Sequence, residues 1–198
     1  MIKLDPNSYR KFLDIRNFKK LPEQLIYSFR ADAFDVSVNR RCIVNVHRMF
    51  ETKTGKYVGE MVTQPYKNIT SNLIYPEEGK TKALEIVRLL VFQRRKGYGT
   101  KFINFAKNES NEYNCNNHLF LLASSLYDPQ YPSHIFYRKQ GFTSINKKMN
   151  KILDKCIAKN EKLNNAENLI MYMPVKKEEP EQKYGFFKKL KNLLSKLI

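Results

Sequence analysis

Apolar residues recur along this chain with two different periods, and the alternation between them outlines an α/β architecture. Tyr9, Phe12, Leu13 and Phe18 follow Pro6-Asn7-Ser8 at helical spacing, which predicts a short opening helix. Residues 41–50 and 56–64 are β-rich runs on either side of Glu51-Thr52-Lys53-Thr54-Gly55, the pattern of a hairpin. A polar, turn-rich stretch covers 65–82. Residues 84–92 are then almost continuously apolar, as expected of a strand covered on both faces, and run straight into Arg94-Arg95-Lys96-Gly97-Tyr98-Gly99-Thr100. Phe102, Ile103, Phe105 and Ala106 return at helical spacing, and Leu119-Phe120-Leu121-Leu122-Ala123 reads as a second buried strand. Pro132 suits the first turn of a helix holding Ile135, Phe136 and Tyr137, and Gly141 suits its C-cap. Strand, glycine turn, helix, strand, helix marks a parallel pair inside an α/β sheet. A lysine-rich helix carrying Met149, Ile152, Leu153, Cys156 and Ile157 on one face and a last strand over 169–175 complete the pattern.

Length and composition sharpen this outline. A chain of 198 residues suits one core domain, over 1–175, followed by a charged linker over 176–183 and a separate helix over 184–198. At 42% hydrophobic and 28% charged residues, disordered and fibrous classes are excluded. No run approaches the ~20 apolar residues of a bilayer-spanning helix, and the opening Met1-Ile2-Lys3-Leu4-Asp5-Pro6 is too polar for a secretory leader, so a cytoplasmic location is expected. Cys42, Cys115 and Cys156 are odd in number, widely spaced and without a nearby histidine, which predicts reduced thiols and no metal. The balance of 36 basic against 19 acidic residues gives +17. Such a field attracts nucleic acid, anionic lipid or phosphorylated metabolites, and it equally describes a solvated lysine-rich surface.

The glycine turn carries the chemistry. Glycines let a backbone approach a ligand closely, and the first N–H groups of a helix lack intrahelical partners, so a strand entering a Gly-x-Gly turn forms a cradle for a pyrophosphate. Arg94-x-x-Gly97-x-Gly99 is neither the Gly-x-Gly-x-x-Gly of dinucleotide-binding domains nor a loop with Gly-Lys-Ser/Thr. It resembles the Gln/Arg-x-x-Gly-x-Gly/Ala signature of the GNAT superfamily of N-acyltransferases. About 40 residues on, Phe136-Tyr137-Arg138-Lys139-Gln140-Gly141-Phe142 resembles the Phe-Tyr-x-Lys-x-Gly-Phe element of the same family. The resemblance spans about residues 20–175. It departs from the pattern at Val91, Phe92 and Gln93, where many members carry a proline, at Gln130, where an asparagine is frequent, and in the long 146–168 segment.

The resemblance implies a mixed central sheet flanked by helices, whose strands splay to admit acetyl-CoA as co-substrate. Arg94, Arg95, Lys96, Gly97, Tyr98, Gly99 and Thr100 would surround its pyrophosphate, and the strand edge at Leu89, Leu90 and Val91 would bond the pantetheine, with 121–124 opposite. Tyr137 falls where many members protonate the leaving thiolate, a role open to a phenol of pKa ~10 facing a thiol of ~8.5; a tyrosine packed for structure is the other reading. Glu85 is the candidate base for the acceptor amine, or else a charge exposed at a strand end. His47, His118 and His134 form no ligand set, and His134 is expected at the helix surface. The implied activity is transfer of acetyl to a primary amine by direct attack. The alternatives are a CoA-binding module without catalysis and a tRNA-directed acetyltransferase toxin. In the tail, Phe186, Phe187, Leu190, Leu193, Leu194, Leu197 and Ile198 form an apolar stripe opposite lysines. This basic amphipathic helix suits docking on the domain, a dimer contact or an anionic membrane surface.

Overall fold

The computed structural model describes residues 2–4, 23–35, 39–68, 82–124, 133–163 and 167–174. The expected opening helix, Pro132, and the linker and helix of 176–198 lie outside the described residues. One eight-stranded sheet organises the rest. Strands β1 (Ile2–Leu4), β2 (Gln24–Asp35), β3 (Arg40–Glu51), β4 (Tyr57–Asn68) and β5 (Lys82–Val91) follow one another in antiparallel pairs. Helix α1 (Tyr98–Glu112) then crosses to β6 (Leu119–Ala123), which lies parallel to β5. After α2 (Ser133–Lys139), β7 (Thr143–Ser144) and α3 (Lys147–Lys159), strand β8 (Leu169–Tyr172) inserts antiparallel between β6 and β7. This is the mixed α/β sheet that the periodicity and the resemblance imply.

The hairpin forms where expected, with Gly55 at φ +65° in the turn. Strand β4 continues to Asn68, past the expected boundary at 64, because a register shift between Gln64 and Lys67 accommodates Pro65. Strand β2 is not anticipated from the sequence: its buried apolar positions are the small Ala31 and Ala33, while its larger apolar residues are half-buried or exposed.

Helices cover one face of the sheet. Met49, Met61, Leu84, Ile86, Leu119, Leu121 and Met171 meet Phe102, Ile103 and Ala106 of α1, Tyr137 of α2, and Leu153 and Cys156 of α3. The other face carries a smaller cluster of Ala31, Ala33, Val44, Val46 and Val62, against which Val87 packs. Strand β5 is therefore apolar toward both sides, as its continuous run predicts. Strand β6 departs from expectation: Leu122 and its cross-strand partner Ile170 are 56% and 45% exposed. The lysine-rich helix is present as α3, capped by the Asn146 side chain, which accepts from the N–H groups of Lys148 and Met149. Its buried stripe is narrower than expected, because Ile152 faces solvent.

Candidate functional site

Strands β5 and β6 share only three rungs, Leu84↔Leu119, Glu85↔Phe120 and Ile86↔Leu121. On the opposite edge of β5 the register with β4 steps from Thr63↔Ile86 to Val62↔Arg88, leaving Val87 as an extra residue. A bulge bends and twists the strand that carries it. This one sits next to the last parallel rung, so the two strands part there, with 87–91 on one side and the end of β6 on the other. Leu89, Leu90 and Val91 keep their rungs with β4 at Met61, Glu60 and Gly59, which leaves the β6-facing edge of this stretch open.

The parted strands lead to the glycine turn. Arg95 and Gly97 adopt left-handed conformations, at φ +61° and +76°. The Lys101 N–H donates to the Gly97 carbonyl at 3.0 Å as the helical ladder begins. Among the described residues no side chain caps α1, and no acidic residue lies in its first turn. Among the described residues nothing lies within 4 Å of a Cβ built on Gly97, so glycine is favoured there for its φ and not for space. Arg94, Arg95 and Lys96 are exposed just before the helix. Three cations at the positive end of a helix dipole are unfavourable by themselves, and an anion there reverses the sign.

Two of the expected contact residues serve packing as well. A Cβ on Gly99 would lie 2.8 Å from Cζ of Phe136, so Gly99 is required by the approach of α2 to α1, and the two motif elements seen in the sequence touch at this point. The Tyr98 ring is buried, and its hydroxyl donates to the Glu51 carboxylate in the β3–β4 hairpin. That bond, helped by the Thr54 hydroxyl, holds the Glu51 carboxyl below its usual range. Tyr98 thus has only its backbone to offer a ligand, while Thr100 sits half-buried in the first turn.

Tyr137 lies on the inner face of α2, edge-on to Phe136 and Phe142 with ring centroids 5.2 and 5.7 Å away. Burial pushes its phenol well above the usual value. The same motif braces the helices: Arg138 forms a bidentate pair with Asp154 of α3 at 2.7 and 2.9 Å, and its Nη1 donates to the Phe142 carbonyl at 3.2 Å. Glu85 is half-buried in the three-rung segment, opposite Gln64 on one side and Phe120 on the other. His134 contradicts the expected surface position: it is 1% exposed, and its Nε2 lies 2.9 Å from the Glu167 carbonyl oxygen. Burial lowers its pKa, so the ring is neutral near pH 7.

Beside the parting strands stands an ion triad that the sequence reading missed. Glu60 of β4, 6% exposed, accepts from Arg48 Nε of β3 at 2.9 Å and from Arg88 Nη2 of β5. The Arg48 guanidinium also lies over the Phe29 ring, 5.4 Å from its centroid. These residues are far apart in the chain, and only strand register joins them.

No family model matches the chain, and no curated protein does. Among solved structures, a bacterial toxin is 13% identical over 66% of this chain, with a TM-score of 0.41, and the match spans 66% of the toxin's length. Arabidopsis thaliana Naa50 in complex with the bisubstrate analogue CoA-Ac-MVNAL is 14% identical over 66% of this chain and 72% of its own, with a TM-score of 0.41. Arabidopsis thaliana NAA60 in complex with acetyl-CoA is 14% identical over 65% and 73%, with a TM-score of 0.42.

Proposed function

We propose that the chain is an acyl-CoA-dependent N-acyltransferase of the GNAT type, moving an acetyl group from acetyl-CoA to a primary amine. The observation that carries this reading is the opening of the β5–β6 ladder beside an uncapped helix start flanked by Arg94, Arg95 and Lys96. The residues present fit the cofactor. The N–H groups at the start of α1 and the three cations suit a pyrophosphate, and the edge at Leu89, Leu90 and Val91 offers backbone groups to the amides of a pantetheine arm. Acetyl-CoA supplies a thioester whose carbonyl an amine attacks directly.

The chain's own side chains then manage protons. Tyr137 keeps its hydroxyl proton at any physiological pH, because burial raises its pKa. The same shift makes it a weaker acid, so its share in thiolate protonation depends on a close approach in the complex. Glu85 receives the proton of the attacking amine, directly or through water. A net charge of +17 favours acceptors that carry acidic groups. Calorimetric titration with acetyl-CoA, followed by an amine screen read by free-thiol release, tests the reading. Absence of acetyl-CoA binding by the full-length protein would remove it.

A further inference from the structure

We propose that Ser28 is an activated nucleophile, primed by His47 and Glu109, that takes an acyl group from a thioester or activated ester at a site separate from the parted strands. The β2–β3 register sets Ser28 directly opposite His47, and its Oγ lies 2.8 Å from Nδ1 of the imidazole. On the far side of the ring, Nε2 lies 3.1 Å from Oε2 of Glu109 and 3.1 Å from Oγ1 of Thr63. The Thr63 hydroxyl gives its one hydrogen to the Glu109 carboxylate, at 2.9 and 3.0 Å from the two oxygens. Both neighbours of Nε2 therefore act as acceptors toward it, so Nε2 carries the ring hydrogen and the Nδ1 lone pair faces the Ser28 hydroxyl. Hydroxyl, imidazole and orienting carboxylate are the parts of a general-base-activated nucleophile, which is recognised by geometry and not by order along the chain.

The surroundings support a built site. Glu109 is 5% exposed, and Asn45 Nδ2 fixes it with a further bond of 2.6 Å. The Phe105 ring lies against His47 at 4.8 Å between centroids, and His47 is 2% exposed. Ser28 is exposed, so within this chain of three the nucleophile is the solvent-facing member. Its supports stand on two strands and one helix, the rigid elements that hold such a constellation in place. Glu109 lies near the far end of α1, about 16 Å along the helix axis from the glycine turn.

The step balances without an added oxidant or reductant. Ser28 Oγ forms a bond to the acyl carbon, and its proton passes to His47 Nδ1. The carbon–sulfur or carbon–oxygen bond breaks, and the leaving group takes the proton from the imidazole, which leaves an O-acyl ester on Ser28.

Full-length protein treated with a fluorophosphonate probe tests this, because Ser28 would displace fluoride and retain the phosphonyl group. Intact mass and peptide mapping are expected to show a single adduct on Ser28, and p-nitrophenyl acetate should acetylate the same residue. Ser28→Ala should abolish the adduct. His47→Gln should slow labelling at least ten-fold. Glu109→Gln should slow it as well, with partial recovery in Glu109→Asp, as expected of a positioning residue. No adduct in the wild-type protein, an adduct on other residues, or wild-type labelling rates in His47→Gln would each overturn the proposal. The mapping on the wild-type protein decides the matter even where a buried variant does not fold.

Discussion

Replacing Gly99 with alanine tests whether the two motif elements meet as the structure has them. The new methyl would sit 2.8 Å from Cζ and 3.1 Å from Cε2 of Phe136, so the ring or the helix must give. Overpacking of this kind costs roughly 1–3 kcal/mol. The lower half of that range applies, because the obstructing atoms are the tip of a half-buried ring that can swing. Alanine regains up to about 1 kcal/mol of helix propensity, for a net loss of about 1 kcal/mol. For a domain of this size that corresponds to a fall in Tm of about 2–4 °C. Displacing the start of α1 should also weaken acetyl-CoA binding several-fold. Thermal melts and calorimetry on Gly99→Ala, Phe136→Leu and the double variant give a cycle in which Phe136→Leu makes room for the methyl, so the pair should couple favourably by about 1 kcal/mol or more. Strict additivity, or a Gly99→Ala protein with wild-type Tm and wild-type affinity, would refute the contact.

Other perturbations separate conformational, chemical and ionic roles. Gly97→Asp puts an anion beside the proposed pyrophosphate position and should abolish the thermal shift given by acetyl-CoA; the left-handed φ of +76° strains any side chain, Asp less than most, so the unliganded Tm should fall while the fold persists, and an undiminished shift would remove Gly97 from the cradle. Tyr137→Phe should lower kcat with little change in KM for acetyl-CoA or in Tm, and an unchanged kcat would leave Tyr137 a packing residue. Because burial lowers the folded-state pKa of His134, the unfolded chain takes up this proton first. The contribution of His134 is complete above its unfolded value of about 6.5 and is lost as pH falls from there through the folded value. Urea midpoints should therefore decline between pH 7.5 and 5, with a shallower decline in His134→Gln; an unaltered slope in that variant would assign the decline to other groups.

What the sequence made legible was local. The 52–56 turn, the apolar run of β5, the glycine turn and α1 each announce themselves within a dozen residues, because a strand buried on both faces or a Gly-x-Gly helix start needs no distant partner to be recognised. The motif around Tyr137 was legible for the same reason. Strand β2 was not, since Ser28, Arg30 and Asp32 alternate with Phe29 and the small Ala31 and Ala33, whose burial depends on β3 lying alongside. Features made by register were equally hidden. The bulge at Val87, the placing of Glu60 between Arg48 and Arg88, and the pairing of Ser28 with His47 all depend on which residue of one strand faces which residue of the next. His134 was misjudged because a helix of seven residues gives too short a period to tell its inner face, and the carbonyl that meets its Nε2 belongs to Glu167, 33 positions away.

Two features of the site are unfavourable when taken singly, and they lie at opposite ends of one short path. Along 87–91 the sheet forgoes rungs between β5 and β6, and each backbone hydrogen bond not made forgoes about 0.5–1.5 kcal/mol. A few residues further on, Arg94, Arg95 and Lys96 crowd the positive end of α1, where each added cation opposes the helix dipole by roughly 0.3–1 kcal/mol. An uninterrupted ladder would remove the first cost and an acidic residue in the first turn the second, which the attraction of Lys96 to the Glu51 carboxylate offsets only in part. A single ligand relieves both if it carries amide groups over one part of its length and two phosphates at the end that reaches the turn. Coenzyme A has that order of groups. The direction is fixed by the chain, because the open edge comes before the turn, and a bound arm would have to point its thioester back along β5 toward the bulge, near Arg88 and the Glu85 segment.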